Sequence, residues 1–122
     1  MNKIIISGNL TKDMEVSVTK SDVTIGTFTV AVTRGFGEKA VTNFIPCTLF
    51  GSRNESLQKF LLKGAKVLVE GIADYNSVQD DEGNWKNYFK VIVNDVEILK
   101  FVDQLEEEQP KKKGNFKKNY RK

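Results

Sequence analysis

Hydrophobic and polar residues alternate along most of the first 100 positions of this 122-residue chain, which is typical of β-strands with one buried face. The alternation predicts five strands, over residues 3–18, 23–33, 42–51, 65–73 and 85–99. Gly8 is expected to mark a bulge or bend in the first of them. One helix is predicted over residues 52–63, because Ser52 and Glu55 have capping-box spacing and Gly64 stands where a helix would end.

The strand over residues 42–51 has two unlike faces. Its two-residue period places three apolar side chains on the side expected to face the core: Ile45, Cys47 and Leu49. The opposite side carries Phe44 and Phe50 with a proline and a threonine between them, which is a poor core face because an unpaired hydroxyl resists burial. If Pro46 bulges the strand, this parity inverts and both rings belong to the core. Exposed rings on a rigid strand usually mark a binding surface, and flat π-faces suit stacked nucleobases.

Basic and aromatic residues gather at two predicted hairpins. The first turns at residues 34–39, where glycines flank an aromatic ring and two basic residues suit contacts with phosphates. Its candidates for nucleic-acid binding are Arg34, Phe36 and Lys39. The second turns at residues 80–84, and its aromatic residues either stack on bases, brace the strands or line a subunit interface. These are Tyr75, Trp85 and Tyr88.

Composition narrows the possible chemistry. One cysteine and no histidine leave no internal disulfide, few metal ligands and no imidazole base, so we expect no metal site, no cofactor and no catalysis. No apolar run approaches the ~20 residues of a membrane span. The first residues enter a β-like run rather than a signal peptide. We therefore expect a cytoplasmic protein that uses neither a membrane nor a small-molecule substrate.

Charge is divided unevenly along the chain. Residues 110–122 carry seven lysines and arginines and no acid, whereas residues 1–109 hold the other 12 basic residues and all 16 acids, a net charge of −4. A polyanion would bind the body through a local basic groove and stacking rather than through overall charge. After about residue 103 the apolar pattern fails, which predicts a folded domain over residues 1–103 and a disordered tail over residues 104–122. The basic end of the tail would hold DNA, anchor an acidic partner or keep the chain soluble.

The predicted order of elements is strand, strand, strand, helix, strand, strand. This is the order of the oligonucleotide-binding (OB) fold, a five-stranded Greek-key barrel that is all-β apart from one helix, here with extended hairpins. Other folds also combine five strands with one helix, so the order favours the OB barrel without fixing it.

Several short motifs resemble those of the bacterial-type single-stranded DNA-binding proteins, of chromosomal, plasmid or phage origin. They follow the family's order over residues 2–103, at positions 2–3 (NK), 8–13 (GNLTKD), 28–32 (FTVAV), 48–51 (TLFG), 62–64 (LKG) and 69–71 (VEG). The resemblance implies a homotetramer, in preference to a dimer, that wraps single-stranded DNA without catalysis. It also implies base stacking by three rings, Phe36, Phe44 and Phe50. A fourth family aromatic falls near Val78, where Tyr75 or Trp85 is expected to substitute.

The tail departs from the family's pattern. Members usually end in an acidic tip that recruits replication and repair enzymes, whereas the last residues here are basic and the acidic cluster is Glu106–Glu108. Recruitment of such partners by the usual route is therefore not expected.

From these observations we expect sequence-tolerant binding and protection of single-stranded DNA during replication, recombination or repair. The protein would act at the nucleoid, or in the host cytoplasm if a phage encodes it, with replication or recombination proteins as further partners. The alternative is a protein–protein adaptor on the same barrel, such as a primosome-type accessory protein, whose aromatic residues line a partner surface. A nuclease is disfavoured because it needs clustered carboxylates for metal ions, and the acids here lie at hairpin tips and in the tail.

Overall fold

The computed structural model describes residues 1–102, so the expectation for the tail over residues 104–122 lies outside the described residues. Within the described part, a short 3₁₀ turn at Gly37–Lys39 and one helix, α1 (Arg53–Leu57), accompany six strands. The strands are β1 (Ile4–Leu10), β2 (Glu15–Val18), β3 (Thr24–Arg34), β4 (Val41–Phe50), β5 (Lys66–Gln79) and β6 (Trp85–Lys100). The single long strand predicted over residues 3–18 is divided into β1 and β2, which pair with different neighbours.

Five of the strands close into a barrel. The sheet order is β1-β5-β6-β4-β3-β2, and a further pairing of β1 with β3 joins the two sides. All pairings are antiparallel except that of β4 with β6, which is parallel at Cys47–Val91 and Thr48–Ile92. The closed ring and the one helix agree with the fold class that the order of elements predicts.

Gly8 lies where β1 crosses β3 to close the barrel. A Cβ at this position would collide with the carbonyl oxygen of Ala31. The register of β1 against β5 is unbroken through Gly8, so there is no bulge in this pairing, and the alternative of a bend stays a prediction. Position 8 needs a residue without a side chain because the backbones of β1 and β3 approach closely there. Close backbone approach, like a bulge, is a common reason for glycine in a strand.

The barrel interior is filled by apolar side chains from every strand of the ring. Cys47 and Leu49 are buried, and Ile45 is partly buried against the same cluster, as the parity of β4 predicts. The other members of the buried cluster are Leu10, Met14, Phe28, Val30, Leu61, Val67, Val69, Val91 and Val93. Burial of the Cys47 thiol raises its pKa from 9.0 to about 12, because the thiolate is poorly solvated in this interior. The parity that fills the core therefore sends alternate residues of β4 outward.

The helix is much shorter than predicted. Ser52 has helical backbone angles and makes no side-chain cap bond, so the expected capping box does not form. After α1, the carbonyl of Leu61 accepts a hydrogen bond from the amide of Met14, and the amide of Gly64 donates to the carbonyl of Leu10, both at 2.9 Å. These bonds tie the segment to the end of β1 and the connection that follows it. In a helix that reached residue 63, the amides of Leu62 and Lys63 would donate to carbonyls four residues earlier. Instead the Leu62 amide donates to the carbonyl of Phe60 at 3.0 Å and the Lys63 amide donates to Asp13 Oδ1 at 2.8 Å, so the apolar spacing does not extend α1 to residue 63.

Two hairpins extend from one end of the barrel. β4 and β6 are parallel and each begins at a hairpin tip, so the tips at residues 35–40 and 80–84 lie at the same end. Gly35 and Gly37 adopt positive φ angles of 79° and 69° in the first tip, where the sequence predicts a glycine-dependent loop. In the second tip, Asp80 Oδ1 accepts hydrogen bonds from two backbone amides, at 3.0 and 2.8 Å. The acidic residue there closes a turn, which is its simplest role.

Candidate functional site

The outer face of β4 displays two phenylalanine rings. Phe44 is 63% exposed and Phe50 is 43% exposed, so the prediction that both rings stand outside the core is confirmed. They lie six positions apart, about 20 Å along a strand. Thr48 between them is only 7% exposed, although its hydroxyl was expected to resist burial. It lies where β4 is paired on both sides, opposite Thr27 of β3 and Ile92 of β6, so neighbouring strands cover it.

The face of the sheet that carries these rings continues onto β6. Because Thr48 pairs with Ile92 in a parallel ladder, residues two, four and six positions earlier on β6 share its outer side. They are Lys90, Tyr88 and Lys86. Tyr88 is 56% exposed, and it precedes Ile92 by the same four positions that separate Phe44 from Thr48. The structure therefore brings Phe44, Phe50 and Tyr88 to one surface, with two lysines beside the tyrosine; we call these five residues the outer face.

Tyr75 and Trp85 lie on the other side of the second hairpin. Tyr75 pairs with Phe89 and Trp85 with Gln79, positions that share the side of the buried Val91. Val78 pairs with Lys86 and is on the side of Tyr88. The structure therefore does not bring Tyr75 or Trp85 together with the rings of β4, although both are well exposed. The substitution of Tyr75 or Trp85 for an aromatic near Val78 stays a prediction, made from the opposite side of the hairpin.

The first hairpin tip carries the remaining predicted residues. Phe36 is 91% exposed between Gly35 and Gly37, and no element among residues 1–102 covers its ring. Arg34 pairs with Val41 on the side opposite Phe44, while the neighbouring Thr33–Thr42 pair faces the side of Phe44 with its hydroxyl oxygens 3.0 Å apart. Arg34 and Lys39 are exposed, and within residues 1–102 neither lies within 4.0 Å of a carboxylate.

Charge around the outer face is mixed. Lys86 Nζ lies 4.0 Å from Asp80 Oδ2 at the hairpin tip, a distance that leaves the lysine largely solvated. Asp74 is opposite Lys90 on β5, one strand further from β4. β6, which lies next to β4, thus contributes Lys86 and Lys90, whereas Asp74 lies on β5, on the far side of β6 from β4. In the described part of the chain, no group of three or more acidic or cysteine side chains could hold a metal ion.

One buried polar residue next to the outer face was missed by the sequence analysis. Asn54 of α1 is fully buried, and its Nδ2 donates to the carbonyls of Leu49 and Gly51, each at 2.9 Å. These two carbonyls flank Phe50. An asparagine in a short amphipathic segment resembles any exposed helix residue in sequence, so only the structure reveals its position.

Comparison with known proteins agrees with the fold. A family model described as the single-strand binding protein family matches residues 1–99. Single-stranded DNA-binding protein 2 of Listeria monocytogenes is 32% identical over 103 residues, which covers 81% of this chain and 64% of the relative. The single-stranded DNA-binding protein of Borreliella burgdorferi is 30% identical over 104 residues, covering 81% of this chain and 70% of the relative.

The chain belongs to the single-strand binding protein family, and its barrel is the OB fold. The chain spans less than two thirds of the length of the Listeria relative, and 61% of Single-stranded DNA-binding protein 1 of Staphylococcus aureus. Among the helices of the described part, none is long and apolar enough to cross a membrane.

Proposed function

We propose that the protein binds single-stranded DNA without strong sequence preference, by stacking bases on the outer face. The observation that carries this proposal is the exposure of Phe44 and Phe50 on one rigid strand of the barrel. Stacking of a base on an aromatic ring contributes about 1–3 kcal/mol and tolerates every base, because each base has a π-face. Membership of the family and the names of the relatives support the same function.

Cations at the edges of the stacking surface complete the proposed site. Arg34 and Lys39 at the first hairpin tip, with Phe36 between them, suit a phosphate track leading onto β4. Residues 1–102 contain equal numbers of basic and acidic residues, 12 of each, so attraction of DNA must be local. Tyr75 and Trp85 remain candidates on sequence grounds, but the proposal does not depend on them.

The proposal extends to the assembly, location and partners of the protein. The protein would act as a homotetramer in the cytoplasm, where it protects exposed strands during replication, recombination or repair. It would have no catalytic step, because stacking and phosphate contacts require none. Replication or recombination proteins are further proposed partners.

Titration of a labelled oligo-dT and of a matched duplex tests the proposal. We expect the single strand to bind much more tightly than the duplex, because paired bases cannot stack on the rings. Affinity should fall as salt rises, with a log–log slope of about −0.7 per neutralised phosphate. Equal binding of duplex and single strand, or no binding at low salt, would contradict the proposed function.

A protein–protein adaptor is the second candidate, and one observation favours it. One side of the second hairpin carries only uncharged residues. They are Tyr75, Ser77, Gln79, Trp85, Asn87 and Phe89. Exposed tyrosine and tryptophan without neighbouring charge are typical of protein interfaces. Loss of assembly in sedimentation after Tyr75→Ala or Trp85→Ala, in a chain that shows no DNA binding, would favour this candidate.

A further inference from the structure

Asn54 holds the backbone on both sides of Phe50. Its side-chain amide group has two N–H donors, and the carbonyls of Leu49 and Gly51 each accept one hydrogen bond at 2.9 Å. Thr24 O lies 3.5 Å from the same nitrogen, at the limit of a hydrogen bond. The residue between the two bonded carbonyls is the one whose ring stands on the outer face.

Apart from Asn54, the backbone at this point is supported on one side, by the ladder in which Phe50 pairs with Ile25 of β3. β4 ends at Phe50, and Gly51 turns away from the strand with a φ of +103°. The Gly51 amide donates to the carbonyl of Thr24 at 2.8 Å. The ring of Phe50 is 43% exposed, so packing alone does not fix its direction. A strand end beside a glycine is prone to fraying, and the bonds from Asn54 oppose it.

The buried position of Asn54 depends on Gly26 of β3. Asn54 Oδ1 is buried and has no hydrogen-bond partner in the described part of the chain. A Cβ on Gly26 would collide with this oxygen and would lie 2.8 Å from the sulfur of Met14. The side chain of Asn54 therefore occupies the space left by the missing side chain of Gly26. A buried unpaired oxygen is unfavourable, so the contribution of Asn54 must come from the two hydrogen bonds that its side-chain nitrogen donates.

We propose that Asn54 is a positioning residue for DNA binding: it fixes the end of β4 so that Phe50 presents its ring to a base. This inference rests on the proposed function. Asn54 is fully buried and cannot itself contact DNA. Its effect on affinity must therefore pass through Phe50 and the strand end.

A double-mutant cycle between Asn54 and Phe50 tests the inference. Asn54→Ala is expected to weaken oligo-dT binding by about 3- to 10-fold when Phe50 is present. It is expected to have less than about a 2-fold effect when Phe50→Ala has already removed the ring. An equal loss in both backgrounds, or no loss in either, would overturn the inference while leaving the proposed function standing. No binding by the unaltered protein would instead contradict the proposed function itself.

A second pair of substitutions separates positioning from packing. In Gly26→Ala with Asn54→Ala, the new Cβ at position 26 occupies part of the space that Asn54 vacates, and the flexible side chain of Met14 shifts to relieve the remaining 2.8 Å contact. We expect this double variant to regain thermal stability relative to Asn54→Ala but to keep its weakened DNA binding, because the bonds to Leu49 and Gly51 are still absent. Recovery of both stability and affinity would show that Asn54 only fills space, which overturns the inference.

Hydrogen exchange provides a readout that needs no DNA. The Gly51 amide should exchange faster in Asn54→Ala, and also in the double variant, because the strand end opens more often. Unchanged exchange at Gly51 would contradict the inference. If Asn54→Ala does not fold, Asn54→Leu keeps the number and branching of the side-chain heavy atoms without the donors, and it permits the same cycle and the same exchange measurement.

Discussion

A phenylalanine ring left in water forgoes about 2–3 kcal/mol that burial would provide, so rings such as Phe44 and Phe50 call for a physical explanation at the scale of single residues. Their neighbours on β4, Cys47 and Leu49, are buried in the barrel. Because side chains alternate across a strand, a β4 that fills the core must present its even-numbered residues outside it. Phenylalanine at these outward positions therefore contributes less to stability than it would in the core, which is the pattern expected of residues kept for binding.

Burial of Cys47 gives a prediction about pH. The pKa of its thiol is raised to about 12 in the folded protein from an ordinary value of 9.0, so folding favours the protonated form. This contribution to stability is fully present below pH 9 and is lost as the pH rises toward 12. We expect the free energy of unfolding to fall faster with pH than in Cys47→Ala, by up to about 1.4 kcal/mol per pH unit. Urea titrations of both proteins across this range measure the difference, and parallel curves would contradict the prediction.

At the scale of elements, the second hairpin separates its aromatic residues by side. Tyr88 shares the side of Phe44 and Phe50, whereas Tyr75 shares the side of the core residue Val91. Both tyrosines are similarly exposed, at 56% and 63%. Exposure therefore does not distinguish the two tyrosines, whereas the register places them on opposite sides of the hairpin.

The two tyrosines form a matched pair for substitution. We expect Tyr88→Ala to weaken oligo-dT binding by roughly 5- to 100-fold, which corresponds to the loss of one stack of about 1–3 kcal/mol. Tyr75→Ala should change affinity by less than about 2-fold, because its side of the hairpin faces away from β4. Fluorescence anisotropy with labelled oligo-dT measures both. A larger loss from Tyr75→Ala than from Tyr88→Ala would reverse the assignment of the two sides.

The sequence predicts some elements better than others, for physical reasons. The period of β4 is visible because its inner residues are apolar and its outer ones are mixed, so Ile45, Cys47 and Leu49 could be assigned correctly. The sides of the second hairpin could not be assigned from the sequence. The register of β6 against β5 shifts between Glu70 and Gly71, and no local pattern encodes such a shift. The predicted helix is too long because Leu61 is apolar at helical spacing. In the structure, its carbonyl accepts a hydrogen bond from Met14, in the connection after β1.

At the scale of the whole molecule, the barrel provides a rigid support and the proposed DNA site is a small part of its surface. The order of elements predicted the OB barrel because each strand and the helix leave a signal in the chain. The clustering of Phe44, Phe50 and Tyr88 could not be predicted, because it depends on the parallel pairing of β4 with β6, two strands that are far apart in sequence. The location of Asn54 beside Gly26 likewise results from tertiary packing.

The most direct test of the central claim is the affinity for oligo-dT of the Phe44→Ala and Phe50→Ala variants, with sedimentation as the control for assembly. If bases stack on the outer face, each variant should bind roughly 5- to 100-fold more weakly, from the loss of about 1–3 kcal/mol, while its assembly stays unchanged. Unchanged affinity in both variants, or loss of assembly with affinity retained, would show that these rings serve another purpose.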